Sequence, residues 1–167
     1  MDVVNDIRSR FTGIEVLYDQ LYLSTDQGSS SVHAYINGLV PRVTGLFPHA
    51  SEVEVSLNVS EFSLDAKRLS ALGLIVNELV TNAMKYAFQR NNGTARLSVH
   101  CTNDSGRIVL TVTDNGIGIP ENIIRDPGSL GIFGMMERAT LLGGELQIMR
   151  APNGGTTATL TFHETSP

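Results

Sequence analysis

The spacing of hydrophobic residues predicts two helices in the first 48 positions. In residues 2–24, apolar side chains alternate steps of three and four, which is an a/d seam of about three heptads. This seam consists of Val4, Ile7, Phe11, Ile14, Tyr18 and Leu21. Residues 25–31 are polar and contain Gly28, so we expect a loop there. A second helix is predicted over residues 32–47, with a kink or an early break at Pro41, because proline lacks the N–H that a helix uses.

The hydrophobic period then changes several times along the chain. Apolar and polar residues alternate in 52–60, which predicts a half-buried strand, and helical spacing returns in 69–88. Residues 116–130 are rich in glycine and proline and have no clear period. Further strands are predicted over 95–101, 107–114, 145–150 and 156–163, and a further helix over 131–142. This order, dominated by hairpins, indicates an α+β two-layer sandwich rather than a doubly wound parallel sheet.

Composition limits the classes of protein to which the chain can belong. With 167 residues, 41% hydrophobic and 17% charged, the chain suits one globular domain with a short appendage. A net charge of -5 without any basic run argues against nucleic-acid binding. The single cysteine, Cys101, excludes an internal disulfide and a cysteine zinc site. The most apolar stretch, 71–76, is too short to span a bilayer, and the first eight residues carry charges where a signal peptide would be apolar. We therefore expect a cytoplasmic chain without membrane contact, although a longer parent protein could be membrane-attached.

The first segment with candidate chemistry is the helix around Asn82. Glu78, Asn82, Lys85 and Tyr86 share the side opposite its apolar face. Such a pattern is commonly a solvated helix face with a Glu–Lys pair. Alternatively, a carboxylate and an amide oxygen one turn apart can hold a hydrated Mg²⁺ ion. A nearby lysine and tyrosine can then contact phosphate.

The second segment is the turn that follows the strand ending at Asp114. Gly116 and Gly118 follow at once, and two glycines spaced by one residue allow the backbone to approach a ligand closely. A buried carboxylate at a strand end needs hydrogen-bond donors, and the exocyclic amine of adenine is such a donor. An Asp-Asn-Gly sequence alone is often only a turn.

The third segment contains Gly128, Gly131 and Gly134, directly before and inside the start of a predicted helix. Backbone N–H groups at a helix N-terminus attract phosphate, although the same pattern also suits a flexible, glycine-rich cap. A Walker-type Gly-Lys-Ser/Thr follows none of these glycines, so a bound nucleotide would not use a P-loop.

Taken in this order, the segments resemble the motifs of the GHKL ATPase superfamily, which includes DNA gyrase, heat-shock chaperone ATPases, histidine kinases and MutL proteins. Residues 77–87 are similar to the N box of histidine kinases, 114–118 to the G1 box and 131–134 to the G2 box. Residues 154–157 match the Gly-Thr element before the last strand. The resemblance covers about residues 50–163, and the ordered set is far more specific than any one motif.

The resemblance implies the histidine-kinase type of two-layer sandwich, a mixed sheet under three helices, with ATP and Mg²⁺ as cofactors. It implies that Asn82 ligates Mg²⁺, that Asp114 binds the adenine amine, and that Glu78 occupies the position of the general base. The remaining nucleotide-binding residues that it implies are Lys85 and Tyr86 for the phosphates, with Gly116, Gly118, Gly131, Gly134 and Thr156 along the site.

The N-terminal part, with residues 21–24, Val32 and Tyr35, resembles the second helix of a histidine-kinase dimerisation domain. We therefore predict that residues 1–48 are a remnant of the dimerisation and phosphoacceptor bundle, and that residues 49–167 are the ATP-binding domain. The resemblance implies transfer of the ATP γ-phosphoryl group to a histidine, relay to a response regulator, and a homodimeric parent protein.

The four histidines of the chain do not lie in a phosphoacceptor context; they are His33, His49, His100 and His163. The acceptor histidine is therefore expected on a helix before Met1, in a longer kinase of which this chain is a piece. The phosphoacceptor domain of that same protein would be the partner in phosphotransfer.

Several alternatives remain open from the sequence. A serine kinase of the anti-sigma-factor kind would share the nucleotide site, a non-catalytic module would keep the fold without turnover, and a structural domain would bind no ligand. The subfamily is also open, because the N box reads Asn-Glu-Leu whereas residues 134–139 resemble kinases related to nitrate sensors. A separate phenylalanine-rich box is absent between Pro120 and Gly131, which implies a short ATP lid.

Overall fold

The structure is a computed structural model, which describes residues 11, 15, 29–88, 93–124, 129–151 and 154–164. The predicted heptad helix over residues 2–24 therefore lies outside the described residues, apart from Phe11 and Glu15, which are both helical. The predicted seam and its pairing stay predictions.

A five-stranded mixed sheet forms one layer of the fold, with the strand order β2-β4-β5-β7-β6. Strand β2 runs parallel to β4, and the other neighbours are antiparallel. A separate antiparallel pair joins β1 to β3. The strand bounds are β1 Ser29–Ser31, β2 Val53–Val59, β3 Ser63–Asp65, β4 Ala95–Asp104, β5 Arg107–Asp114, β6 Glu145–Arg150 and β7 Thr156–His163. The predicted mixed sheet is confirmed.

Helices form the second layer and cover one face of this sheet. Their bounds are α1 Val32–Thr44, α2 Ala66–Asn82, α3 Glu121–Ile124 and α4 Leu130–Leu141, with a 3-10 turn at Ala50–Glu52. Helix α2 continues without a break into a π-helix, Ala83–Ala87. The α+β two-layer class with three long helices is therefore confirmed. Among the residues described, no helix is long and apolar enough to cross a membrane.

Side chains at two helix starts explain where α1 and α2 begin. The Ser31 hydroxyl oxygen accepts a hydrogen bond from the Ala34 N–H at 3.0 Å, and an Asp65 carboxylate oxygen accepts one from the Arg68 N–H at 3.0 Å. Each side chain satisfies one N–H of the first helical turn, which has no partner within the helix.

The structure differs from the predictions in two short regions. The pattern predicts a loop over residues 25–31, but Ser29–Ser31 is a strand paired with Ser63–Asp65. Three-residue polar strands have no detectable period, so only tertiary pairing creates them. Helix α1 passes through Pro41 and ends at Thr44, three residues short of the predicted end. The Gly45 N–H donates to the Pro41 carbonyl at 3.0 Å and completes the last turn.

Alternate residues of the central strands build the core against the helices. The inward positions on β4, β5 and β7 are almost completely buried: Leu97, Val99, Cys101, Ile108, Leu110, Val112, Ala158, Leu160 and Phe162. This alternation follows the period of two read from the sequence. It places the residues at the ends of β5 and β7 on the same face as the helices.

Helix α1 belongs to this same core. It lies on α2 so closely that a Cβ atom at Gly73 would be 2.0 Å from the Tyr35 hydroxyl oxygen. Its buried apolar residues are Val32, Tyr35, Ile36, Leu39, Val40 and Val43. The predicted boundary between residues 48 and 49 therefore does not coincide with a gap in the packing. That residues 1–48 are a bundle remnant stays a prediction.

Candidate functional site

A cavity of about 460 Å³ lies between the C-terminal half of α2, the start of α4 and one end of the sheet. Six of the residues predicted from the sequence line it, although they come from four separate parts of the chain. They are Asn82, Tyr86, Asp114, Gly118, Gly131 and Thr156. The structure thus brings the three predicted motifs and the Gly-Thr element together around one space.

Asp114 lies at the edge of this cavity because of the strand register. It is the last residue of β5 and pairs with Thr156, the first residue of β7. Its side chain continues the buried face and is only 7% exposed. The carboxylate oxygen Oδ1 accepts hydrogen bonds from the N–H of Gly116 at 2.9 Å and of Thr156 at 3.2 Å.

The electrostatics of Asp114 follow from this burial. Desolvation raises the pKa of the carboxyl group above its ordinary value, and the backbone N–H groups of Gly116 and Thr156 and the Thr156 hydroxyl partly offset this rise. A carboxylate offers about four acceptor positions. Capacity therefore remains for a donor from inside the cavity.

The walls of the cavity are mainly apolar. Val112 and Ala158 are paired across neighbouring strands and form the floor of the cavity. Ile148 pairs with Ala158 on the next strand, and the helices contribute Leu79 and Met135. An apolar slot with one carboxylate at its edge suits a flat heteroaromatic ring that carries an amine.

These apolar residues were not among the predicted site residues, although the sequence contains a signal for three of them. Val112 lies two residues before Asp114 and Ala158 two residues after Thr156, so the period of two places each pair on one face. Met135 lies four residues after Gly131 on a helix, and therefore on the same side. Ile148 follows only from the pairing of β6 with β7, which the hydrophobic pattern does not specify.

The end of the predicted N-box helix departs from α-helical geometry. Helix α2 ends at Asn82, and Lys85 and Tyr86 lie in the π-helix that follows. The Ile117 N–H donates to the Ala87 carbonyl at 2.9 Å, which joins the end of the π-helix to the turn after Asp114. π-Helices are rare and often occur at functional sites.

Gly116 explains how closely these two segments approach each other. A Cβ atom at Gly116 would lie 2.2 Å from the Ala87 carbonyl oxygen, so only glycine fits. The sequence predicts that this glycine allows close approach to a ligand, whereas the structure shows approach to the protein backbone. Gly116 is absent from the cavity lining, while Gly118 is part of it.

A second glycine turn, directly before β7, packs closely against Asp114. Gly155 has φ +88, and a Cβ atom there would lie 1.9 Å from the Asp114 carbonyl oxygen. The conformation and the contact both require glycine. Of the predicted hairpin turn at residues 152–155, Pro152 and Asn153 lie outside the described residues.

Three other predicted residues do not line the cavity, namely Glu78, Lys85 and Gly134. Glu78 lies one turn before Asn82, and its Oε2 would be 3.5 Å from a Cβ atom at Gly131. Gly134 lies inside α4, where a Cβ atom would be 2.8 Å from an Arg138 guanidinium nitrogen. Lys85 lies next to the cavity-lining Tyr86.

The start of α4 presents backbone N–H groups beside Gly131. The N-cap residue Ser129 makes no capping hydrogen bond with its side chain, and its hydroxyl donates instead to the Ile123 carbonyl at 3.0 Å. N–H groups of the first helical turn lack partners within the helix and favour anions. Gly128 lies outside the described residues.

Comparison with known proteins agrees with this geometry. Residues 67–166 match the family described as histidine kinase-, DNA gyrase B-, and HSP90-like ATPase. This match covers more than half of the chain and includes each segment that lines the cavity. The chain belongs to this ATPase family, and the match supports ATP as the nucleotide.

Two relatives extend the likeness to sensor kinases. The chain is 34% identical over 88 residues to the nitrate/nitrite sensor protein NarX of Escherichia coli (strain K12), which covers 53% of this chain and 14% of NarX. It is 25% identical over 157 residues to the sensor histidine kinase PdtaS of Mycolicibacterium smegmatis, which covers 90% of this chain and 30% of PdtaS. The chain thus spans less than a third of these relatives.

The fold is also that of a solved histidine kinase domain. The histidine kinase domain of the Erythrobacter litoralis blue-light activated histidine kinase superposes with a TM-score of 0.79 at 22% identity, covering 93% of this chain and 73% of that chain. At this identity the likeness shows the fold alone. At 93% coverage of this chain, the superposition extends beyond the matched ATPase region, residues 67–166.

Proposed function

We propose that this chain binds MgATP in the cavity described above and acts as the catalytic ATP-binding domain of a sensor histidine kinase. The observation that carries the proposal is the joint position of Asp114, Thr156 and Asn82 around one apolar cavity. The family match and the two sensor-kinase relatives support the same assignment.

The adenine ring would occupy the apolar slot above Val112 and Ala158. Its exocyclic amine would donate to the Asp114 carboxylate, whose position is fixed by hydrogen bonds from Gly116 and Thr156. Because the carboxylate is pre-oriented, binding the ring does not require ordering this side chain.

The phosphates would extend toward Asn82 and the start of α4. Mg²⁺ keeps several waters and takes few protein ligands, so the single amide oxygen of Asn82 beside phosphate oxygens is a suitable donor set. Among the residues described, no group of three acidic, histidine or cysteine side chains could hold a metal without phosphates. The ion would neutralise charge on the phosphates, while Lys85 and Tyr86 bind them.

The reaction would transfer the γ-phosphoryl group of ATP to a histidine outside this chain. Glu78, one helical turn before Asn82, would orient the attacking imidazole nitrogen or accept its proton. The phosphohistidine would then pass its phosphoryl group to a response regulator. We place this chemistry in the cytoplasm, within a parent kinase that is a homodimer.

Calorimetric titration of MgATP into the wild type and Asp114→Asn tests the assignment. Hydrogen bonds to charged groups contribute about 1.5–3 kcal/mol, so the variant should bind roughly 10- to 150-fold more weakly. Asp104→Asn is the matched control, because Asp104 is an exposed residue at the other end of the β4–β5 hairpin. Equal affinity for all three proteins would contradict the adenine contact, and no binding to the folded wild type would contradict the function.

Labelled ATP tests where the phosphoryl group goes. We expect the chain alone to retain no acid-labile phosphate after incubation with γ-labelled MgATP. Acid-stable label on a serine of an added partner protein would instead support the serine-kinase alternative. Label on one of the four histidines of this chain would contradict an external acceptor.

A further inference from the structure

We propose that His49 is a positioning residue for the phosphate side of the nucleotide site, and that it acts through the Met84 carbonyl. This inference rests on the proposed function. His49 lies after α1, far before the N box in the sequence, and no part of the ATPase motifs includes it.

The contact is a hydrogen bond from the His49 ring to the π-helix. The His49 Nε2 atom lies 2.8 Å from the Met84 carbonyl oxygen. A carbonyl oxygen can only accept, so Nε2 carries the hydrogen in this contact. The buried Phe47 ring lies 6.1 Å from the imidazole, measured between ring centroids, and restricts its orientation.

The Met84 carbonyl requires a donor because of its place in the helix. The last four carbonyls of a helix have no partner within it, and Met84 is among the last four residues of Ala83–Ala87. Met84 is only 1% exposed, so water reaches its carbonyl oxygen poorly. The His49 ring supplies the hydrogen bond that water would otherwise donate.

A second carbonyl of the π-helix is held from another part of the chain. The Ala87 carbonyl accepts from the Ile117 N–H, which belongs to the turn after Asp114. The π-helix is therefore fixed at Met84 by His49 and at Ala87 by Ile117. Lys85 and Tyr86, the proposed phosphate-binding residues, lie between these two points.

Loss of the His49 contact should affect phosphate binding without affecting adenine binding. Asp114 receives its hydrogen bonds from Gly116 and Thr156, whereas the described hydrogen bond of His49 is to Met84. Without His49 the π-helix would lose its hydrogen bond at Met84, while the Ile117 hydrogen bond and the core packing of its buried residues would remain. The backbone that carries Lys85 and Tyr86 would then be less restricted, and a ligand would have to order it.

The test measures MgATP and adenosine affinities for four proteins: wild type, His49→Leu, His49→Asn and His49→Gln. Leucine fills the space without a donor, and asparagine keeps an amide but is too short to reach Met84. Glutamine places an amide N–H about where Nε2 lies. NMR titration measures both the weak adenosine affinity and the stronger MgATP affinity. Thermal unfolding checks that each variant is folded.

We expect His49→Leu and His49→Asn to bind MgATP about two- to twelve-fold more weakly, the range for one lost hydrogen bond, with unchanged adenosine affinity. His49→Gln should restore MgATP binding. His100→Leu, the same change at an exposed strand position, is the control and should bind both ligands normally. If His49→Leu does not fold, His49→Asn against His49→Gln makes the same comparison.

Other results would overturn the inference in distinguishable ways. Unchanged MgATP affinity in folded His49→Leu or His49→Asn would overturn the role of His49 and leave the proposed function intact. Equal losses for MgATP and adenosine would show a general structural role instead. Failure of the wild type to bind MgATP would overturn the proposed function together with this inference.

Discussion

At the scale of single residues, Asp114 combines a requirement for binding with a cost to stability. Burial raises the pKa of its carboxyl group, so the ionised form is less favourable in the folded than in the unfolded protein. The ionised form is nevertheless the better acceptor for an adenine amine. A ligand donor would therefore satisfy a charge that the protein alone stabilises incompletely.

This conflict predicts how the stability of the ligand-free protein depends on pH. Because the folded-state pKa is raised, the stabilising contribution of protonated Asp114 is complete below the unfolded value of about 3.8 and is lost as pH rises through the folded pKa. A tenfold difference in proton affinity between the folded and unfolded states corresponds to about 1.4 kcal/mol. Asp114→Asn, which does not ionise, should therefore gain stability relative to the wild type as pH rises from about 4 to 7.

Urea unfolding of both proteins across this pH range measures the difference, with Asp104→Asn as the control. A constant difference between Asp114→Asn and the wild type at every pH would show that burial does not change the pKa of this carboxyl group.

At the scale of elements, α2 carries two polar side chains on its buried side. Asn77 is 1% exposed and Thr81 is 3% exposed, and they lie one turn apart after Gly73, which contacts α1. The Asn77 amide and the Thr81 hydroxyl have no hydrogen-bond partner in the described protein. Buried polar groups without partners destabilise a fold.

Thr81→Val should therefore stabilise the protein. The change replaces a buried hydroxyl by a methyl group of the same shape, and the helix propensities of the two residues are similar. We expect the free energy of unfolding to rise by about 1 kcal/mol, measured by urea unfolding. Thr140→Val on the exposed part of α4 should change it by less than about 0.5 kcal/mol. Destabilisation by Thr81→Val would show that the hydroxyl forms a hydrogen bond in solution.

At the scale of the whole molecule, the packing of α1 decides which residues fold as one unit. Six apolar residues of α1 are almost completely buried, and α1 covers Gly73 on α2. Burying one such side chain contributes about 1.5–3 kcal/mol, and a domain is stable by only about 5–15 kcal/mol in total. The ATP-binding unit should therefore require α1.

Two truncated chains test this requirement. Residues 29–167 should melt cooperatively and bind MgATP like the full chain, because β1 and α1 are kept. Residues 49–167 should be unfolded or aggregated, because the face of α2 that α1 covers becomes exposed. Circular dichroism melting and MgATP titration measure both properties. A cooperatively folded 49–167 that binds MgATP would confirm the boundary predicted at residue 48.

Much of the site was predictable because its residues lie in local patterns. Asp114 and the glycines after it mark the end of a strand, and Glu78, Asn82 and Tyr86 recur at helical spacing, so each set can be identified without the fold. The apolar floor at Val112 and Ala158 depends on two strands pairing in one register, and a single strand pattern does not specify its partner. The same reason explains why the three-residue strands were not predicted.

The sequence by itself determined the order of the longer described helices and of the five strands of the main sheet, the two-layer class and the motifs that define the ATPase family, because the periods of 3.6 and 2 and the glycine positions are local properties. Tertiary structure decided which residues share the cavity, that helix Val32–Thr44 belongs to the same core, and that the N-box helix ends as a π-helix held by His49 and Ile117. These features arise from contacts between residues distant in the chain. Their free energies depend on register and packing, which no local pattern encodes.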